Sequence, residues 1–206
     1  GANDVVMLDL GANTECDAET LQQFALMGEV FVRTLLHVPN PSIGLVNIGS
    51  EAAKGPEVLR QAAARIKDSA LGERFHGFVE GDDIAAGTVD VIVTDGFTGN
   101  VALKTAEGTA KLVTGFLEEA FKSSPLAMLG YFLARRSLAK LKLRTDPRRY
   151  NGAMLIGLNG IVVKSHGGTD ALGFASAIAV AHDLARHGLN ARIAGEVAAL
   201  TGPTQP

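Results

Sequence analysis

The stretch Asp90-Val91-Ile92-Val93-Thr94-Asp95-Gly96-Phe97-Thr98-Gly99-Asn100 joins a short apolar run to a glycine turn and to the start of a helical pattern. A continuous apolar run of this length is typical of a strand covered on both faces, as in a parallel sheet. We therefore predict a strand over residues 89–95. The same form, an apolar run ending at a glycine, predicts strands over residues 4–10, 42–48, 75–80 and 161–166.

Helical patterns lie between most of these runs. They cover residues 18–36, 51–68, 100–122, 171–186 and 189–200. Ser50 is the expected N-cap of the second helix, and Thr169 or Asp170 that of the fourth. Strands alternating with helices predict a single α/β domain with a layered, doubly wound sheet. The link from Gly81 to Val89 is too short for a full crossover helix, which leaves the pairing of the flanking strands open.

Residues 125–143 do not follow this alternation of strands and helices. Their first half is apolar on all sides, and their second half alternates basic residues with leucine. We expect no strand between Gly96 and Gly160, and we expect a helical insertion over about residues 107–149 that projects from the sheet. Residues 131–149 carry seven basic side chains against Asp146, a balance of +6, while the whole chain is at −3. This asymmetry indicates a local anionic partner.

The net charge, the apolar runs and the counts of cysteine and histidine exclude several classes of protein. A net charge of −3 does not indicate a nucleic-acid binder. The longest apolar run, residues 126–134, is too short to span a membrane. The single cysteine, Cys16, fits a reducing compartment, and we interpret it as a small buried residue rather than a reactive thiolate. The five histidines show no ligand spacing, so we predict no metal site.

Glycine is in excess, with 24 of 206 residues against roughly 14 expected at average usage. Five glycines follow the predicted strands: Gly11, Gly49, Gly81, Gly96 and Gly167. Ligands of open α/β sheets bind at the carboxyl ends of the strands, and helix N-termini there suit phosphate. The alternative is that these glycines only shape turns. Neither a dinucleotide fingerprint nor a phosphate loop is present.

Polar residues at these turns are candidates for chemistry. A carboxylate at Asp95, at the end of a buried strand, needs donors or a cation. Asn100 is a candidate helix cap with Lys104 one turn further on, although both also fit an ordinary capping cluster. Lys164 within an apolar strand indicates an anion, whereas a structural role for that segment is the alternative. Ser165 and His166 do not suit a catalytic triad, because neighbours on a strand face opposite ways.

The ordered set of motifs resembles one family. It comprises residues 8–13, 47–51, 80–81, 90–100, 150–153 and 164–167. It resembles the bacterial phosphate acyltransferases of phospholipid synthesis, the PlsX family. Members of that family are longer and carry an amino-terminal part with a further glycine-rich segment. The present chain resembles their carboxy-terminal two-thirds.

The resemblance implies transfer of a fatty acyl group from acyl carrier protein to inorganic phosphate, which gives acyl phosphate. It implies no cofactor, a layered fold like that of phosphotransacetylase and isopropylmalate dehydrogenase, and a homodimer. It also implies a cytoplasmic enzyme that can rest on the anionic inner face of the plasma membrane. The alternatives are an inactive fragment that binds only carrier protein or membrane, and a dehydrogenase of related fold. The second lacks an acidic metal cluster and a dinucleotide fingerprint.

The resemblance also implies roles for individual residues. Lys164 and Lys104 would neutralise phosphate and the developing oxyanion, and His166 or Ser165 would assist the departing thiolate. The expected phosphate or substrate contacts, with backbone N–H groups foremost, are Asp9, Gly11, Ala12, Asn13, Ser50, Lys54, Asp95, Gly96, Thr98, Gly99, Asn100, Asn151 and Gly167. The expected contacts with the carrier protein or the membrane are Leu129, Phe132, Arg135, Arg136, Lys140, Lys142 and Arg144. A helix pair buried in a dimer interface is the alternative for this last region and is compatible with it.

Overall fold

The computed structural model describes residues 4–144, 146, 148 and 151–201, and for residues 141, 142, 144 and 201 the backbone alone. Four strands form a parallel sheet in the order β1-β4-β2-β3. They are β1 (Val6–Leu8), β2 (Ile43–Val46), β3 (Phe75–Val79) and β4 (Val91–Val93). Leu8 and Leu45 both pair with Val93, so the carboxyl ends of β1, β4 and β2 lie side by side. The α/β prediction with a parallel sheet is confirmed.

Helices cover most of the remaining described chain. They are α1 (Ala18–Phe31), α2 (Glu57–Lys67), α3 (Gly81–Ala86), α4 (Gly96–Lys122), α5 (Pro125–Arg144), α6 (Ala171–Arg186) and α7 (Leu189–Thr201). A π-helical turn, Val32–Leu36, extends α1, so the predicted helix over 18–36 is confirmed as one helical segment. Asp170 is the N-cap of α6, one of the two predicted caps.

The fifth predicted strand is present but does not join the parallel sheet. β6 (Val163–Lys164) pairs antiparallel with β5 (Ala153–Met154) in a separate two-stranded sheet. The expectation of no strand between Gly96 and Gly160 was therefore wrong. β5 is only two residues long, and so short an element has too few residues to show an alternating pattern.

Two helix starts also differ from the prediction. α2 begins after Pro56, not after Ser50, because a residue that precedes proline disfavours helical backbone. The intervening loop is held by the buried side chain of Asn47, which donates to the Lys54 carbonyl at 3.1 Å. α4 begins at Gly96 with Asp95 as its N-cap. Asn100 lies one turn inside this helix and is therefore not its cap.

The link from β3 to β4 resolves the pairing left open by the sequence. β3 and β4 are both paired with β2, which lies between them. The six-residue helix α3 makes the connection, with a reciprocal capping box between Glu80 and Asp83 at its start. A short helix suffices because the chain only has to pass over one strand.

The main core lies between the sheet and α1, with α2 and α7 packed beside α1. Leu45, Val91 and Val93 of the sheet are fully buried, as are Ala25 and Val30 of α1. Gly28 of α1 has no room for a side chain, since a Cβ atom would overlap Val91. The close approach of α1 to β4 therefore depends on glycine at this position.

α4 and α5 form a helical hairpin, closed by an edge-to-face contact between Phe121 and Tyr131 with ring centroids 5.4 Å apart. α4 carries an apolar stripe that is exposed in the single chain: Leu112, Val113, Phe116 and Leu117 are 45–60% accessible. α4 is continuous from Gly96, so the hairpin includes residues before 107. The bounds 107–149 for the insertion stay a prediction. Among the described helices, none is long and apolar enough to cross a membrane.

A buried carboxylate fastens α1 to its neighbours. Glu29 is 1% exposed, and it accepts hydrogen bonds from Arg74 at 2.6 Å and from Arg33 at 3.2 Å. Arg33 also donates to Glu196 of α7 at 2.9 Å. Glu29 is the buried member of this network, while Arg33 and Arg74 are about one-third exposed.

We expect Glu29→Gln to lower the free energy of unfolding by about 1–3 kcal/mol, because two part-exposed guanidinium groups lose a charged hydrogen-bond acceptor. Glu118→Gln, which removes a surface pair with Lys122, is the matched control and should cost less than about 1 kcal/mol. Denaturant unfolding measures both changes. Equal losses in the two variants would show that the Glu29 network does not fasten the core.

Candidate functional site

The carboxyl end of β1 turns around the side chain of Asp9. Its two oxygens accept hydrogen bonds from the backbone N–H groups of Gly11 and Ala12, both at 2.9 Å, and of Asn13 at 2.7 Å. The Asn13 amide adds a fourth bond at 2.8 Å. Partial burial alone raises the pKa of Asp9, but these donors outweigh it and hold the pKa below its ordinary value of 3.8. The carboxylate is therefore ionised, and it organises the turn.

Because the turn binds its own carboxylate, its backbone N–H groups are less available to a phosphate than we predicted. The structure brings together Asp9, Gly11, Ala12 and Asn13, all predicted phosphate contacts. Their backbone donors, however, are directed at the protein's own carboxylate. A phosphate at this edge would thus depend mainly on donors from other residues.

The start of α4 is locked onto the same turn. The Gly96 N–H donates to the Asn13 carbonyl at 2.7 Å, and the Asn100 amide donates to the Leu10 carbonyl at 3.2 Å. Gly99 packs directly against the Asp9 carbonyl and leaves no space for a Cβ atom. The predicted residues of the two turns therefore form one rigid corner between β1 and β4.

Asp95 has the hydrogen-bond donors that a carboxylate at the end of a buried strand needs. Its carboxylate accepts from the Thr98 N–H at 2.8 Å and from the Thr98 hydroxyl at 2.7 Å. It is a capping group rather than a free carboxylate.

Lys104 lies two turns into α4 and is paired with Glu107 at 2.9 Å. That hydrogen bond is the main reason that the pKa of Glu107 lies below its ordinary value. Glu107 was not predicted as a site residue, and nothing in the local sequence singles it out.

The second polar cluster follows β6. Lys164 ends the strand with an exposed side chain, and Ser165 and His166 begin the next loop. The buried Asn151 reaches this loop: its Nδ2 donates to the Ser165 hydroxyl at 2.8 Å, and its Oδ1 accepts from the His166 N–H at 2.9 Å. The His166 ring accepts from the Gly168 N–H through Nδ1 at 3.1 Å. Gly167, between them, has open space around it.

The loop after β2 supplies Ser50 and Lys54, both exposed. Lys54 is paired with Glu51 at 2.8 Å. Because β2 neighbours β4, this loop lies at the same edge of the sheet as the Asp9 turn. Asn47, which shapes the loop, is the residue that the site prediction missed, although it stands within a motif quoted for the resemblance.

Cys16 lies beside the corner, half-buried. Burial raises the pKa of its thiol, and the carboxylates of Asp95, Asp9 and Asp17 raise it further, against a lowering by the Gly96 N–H. The thiolate is therefore disfavoured here, which supports the interpretation of Cys16 as a structural residue.

The hairpin carries the residues predicted to meet the carrier protein or the membrane. Leu129 and Phe132 are more than half exposed, and the Arg135 guanidinium lies 4.5 Å from the centre of the Phe132 ring. Arg136 and Lys140 are both exposed along the same helix. The side chains of Lys142 and Arg144 lie outside the described residues.

We expect Asp9→Asn to destabilise the protein at neutral pH, because an amide accepts fewer of the four donors. The folded pKa of Asp9 is lowered, so its stabilisation is present above 3.8 and is lost as the pH falls through the folded pKa. The difference in unfolding free energy between wild type and Asp9→Asn should therefore shrink below pH 3.8. A difference that stays constant down to acid pH would contradict this account of the turn.

Comparison with known proteins places this site in a family. The model of the family described as fatty acid synthesis protein matches residues 1–192. A phosphate acyltransferase of Rhodospirillum rubrum is 65% identical over 94% of this chain and 55% of its own length. One of Rhodospirillum centenum is 66% identical over 95% of the chain and 55% of its own length.

A third relative, the phosphate acyltransferase of Paramagnetospirillum magneticum, is 61% identical over 94% of the chain and 55% of its own length. The chain thus spans about half the length of the curated relatives it matches. The matched region includes β1 to β6, α1 to α6 and every candidate residue described above. The chain belongs to the fatty acid synthesis protein family, the family of the PlsX-type phosphate acyltransferases.

Proposed function

We propose that this chain is the part of a phosphate acyltransferase that carries the strand-end cluster around Lys164, and that the enzyme transfers a fatty acyl group from acyl carrier protein to inorganic phosphate. The observation that carries the proposal is identity of 61–66% with relatives named phosphate acyltransferase over nearly the whole chain. Two clusters support it: the turns at the carboxyl edge of the main sheet, and the exposed Lys164 with Ser165 and His166 after β6.

The reaction needs one bond made and one broken. An oxygen of hydrogen phosphate attacks the thioester carbonyl carbon, and the carbon–sulfur bond then breaks. The proton that phosphate loses goes to the departing thiolate, so acyl phosphate and free thiol leave the site. The protein's task is to neutralise phosphate, stabilise the oxyanion and guide this proton.

Lys164 suits the first task best. Its side chain is exposed at the end of β6, and none of the ion pairs among the described residues includes it. Lys104 is less free, because Glu107 already holds its ammonium group. Lys164 is therefore the main cation for phosphate, and Lys104 is a secondary one.

His166 suits the third task. Since Nδ1 accepts the Gly168 N–H, the neutral ring carries its hydrogen on Nε2. That hydrogen is a donor for the departing sulfur. A nucleophile of the protein is not required, and Cys16 is a poor one because its thiol is held protonated.

The hairpin suits recognition of the carrier and of the membrane. The apolar side chains of α5 are exposed beside Arg135 and Arg136, and both acyl carrier protein and bacterial membrane surfaces are acidic. Such a surface attracts an anionic partner and can also lie at a bilayer interface. The exposed apolar stripe on α4 would be buried if a second copy of the chain packed against it. We therefore propose a homodimer with the hairpins at its interface and their tips free.

A second candidate is a binding module without activity. It is favoured by the exposed apolar side chains of the hairpin, which offer a contact surface that needs no catalysis. The two candidates separate in one assay: acyl phosphate formation from acyl carrier protein and phosphate, followed by ³¹P NMR. The assay uses the chain alone and the chain joined to the amino-terminal part that the resemblance calls for. Formation of acyl phosphate supports the enzyme. The proposal is refuted if the thioester is consumed without formation of acyl phosphate, or if neither protein consumes the thioester.

We expect Lys164→Ala to reduce turnover by about 10²–10³-fold without unfolding the protein, because an exposed cation facing phosphate is lost. Lys67→Ala removes another exposed cation, at the end of α2 and outside the hairpin, and should leave turnover unchanged. Steady-state kinetics with circular dichroism checks both variants. Unchanged turnover in Lys164→Ala would remove Lys164 from the mechanism.

We expect replacement of both Leu129 and Phe132 by Asp to abolish flotation with vesicles rich in anionic lipid, because two exposed apolar contacts become charged. Replacement of Leu172 and Phe174 of α6, which are exposed to a similar degree, is the matched control and should float normally. Equal flotation of wild type and the hairpin variant would refute membrane contact through α5.

A further inference from the structure

Asn151 was expected to touch phosphate, but its side chain is fully engaged within the protein. It is 8% exposed. Nδ2 donates to the Ser165 hydroxyl and to the Gly173 carbonyl, both at 2.8 Å, and Oδ1 accepts from the His166 N–H at 2.9 Å. A primary amide has two donor hydrogens, and both are used here.

The orientation of this amide is fixed by its backbone partners. A carbonyl can only accept and an N–H can only donate, so Nδ2 must face Gly173 and Oδ1 must face His166. The Ser165 oxygen is then an acceptor for Asn151. Its own hydrogen must point elsewhere, and no acceptor for it is found among the described residues.

We propose that Asn151 is a positioning residue that holds the Ser165 hydroxyl as a hydrogen-bond donor toward the bound ligand. This inference rests on the proposed function, which places an anionic phosphate at the end of β6 and the loop that Ser165 begins. A hydroxyl whose acceptor side is already occupied presents its O–H to that phosphate. The same amide fixes the backbone of His166 and thereby the start of the loop that carries its ring.

Asn151 thus differs from Lys164 and His166 in how it acts. It does not touch the reacting atoms, but it sets the direction of a proton on a residue that does. The buried position explains why asparagine is required: a carboxylate of the same shape has no donor for Ser165 or Gly173. With a carboxylate in place, the Ser165 hydrogen would turn toward it and away from the ligand.

The test compares Asn151→Asp, Ser165→Ala and the double variant in the complete protein. We expect each single variant to lower kcat about tenfold or more with little change in KM for the acyl donor. The double variant should be no slower than Ser165→Ala alone, because both changes remove the same donor. A purely structural Asn151 would instead give multiplied losses in the double variant, or a lower melting temperature with unchanged kcat, and either result overturns the proposal.

The matched control is Asn190→Asp. Asn190 also donates from its amide to a backbone carbonyl, that of Leu158, at 2.8 Å, but none of the hydrogen bonds among the described residues joins it to Ser165 or His166. It should lower the melting temperature at most and leave kcat unchanged; a loss of kcat equal to that of Asn151→Asp overturns the proposal.

Calorimetric titration with inorganic phosphate gives a second readout. Asn151→Asp and Ser165→Ala should weaken phosphate binding to the same extent, with no further loss in the double variant. If the unsubstituted protein neither forms acyl phosphate nor binds phosphate, the proposed function fails, and the role of Asn151 fails with it. If it does both and the variants are independent of each other, only the role of Asn151 is refuted.

Discussion

The carboxylate of Asp9 is the constraint on which the sheet edge depends. It gathers three backbone donors and one amide donor into a single turn, and the Asn13 carbonyl of that turn receives the first N–H of α4. Gly99 then packs against the Asp9 carbonyl, which fixes the direction in which α4 leaves the sheet. Since α5 is attached through α4, the placement of the whole hairpin follows from this corner.

The two turns at the sheet edge and the segment after β6 differ in how their charges are paired. Asp9 and Asp95 accept hydrogen bonds from the protein's own N–H groups and hydroxyls, whereas Lys164 at the end of β6 has no carboxylate partner among the residues described. Such a division suits an anionic substrate, because the cation remains available while the fixed carboxylates only build the scaffold. The proposed chemistry needs no more than this: a positioned phosphate, an oxyanion donor and a proton for sulfur.

Much of this architecture was predictable from apolar runs that end at glycine. The four strands of the main sheet and the helices over 18–36, 171–186 and 189–200 follow from local pattern alone. The start of α2 was missed, although Pro56 was a readable signal. The pairing of β6 with β5, the buried Asn151 and the engagement of the Gly11–Asn13 donors by Asp9 depend on contacts between distant segments or on the path of a turn. No residue pattern encodes these contacts, so the candidate residues were found but several of their roles were not.

The central claim is that phosphate itself attacks the thioester and that no side chain of the chain becomes acylated. Turnover with phosphate labelled with ¹⁸O at every position, analysed by mass spectrometry of product and protein, tests this most directly. The account predicts acyl phosphate that retains every labelled oxygen, and protein of unchanged mass throughout turnover. An acyl adduct on Ser165 or Cys16, or a product with one labelled oxygen fewer, would contradict it.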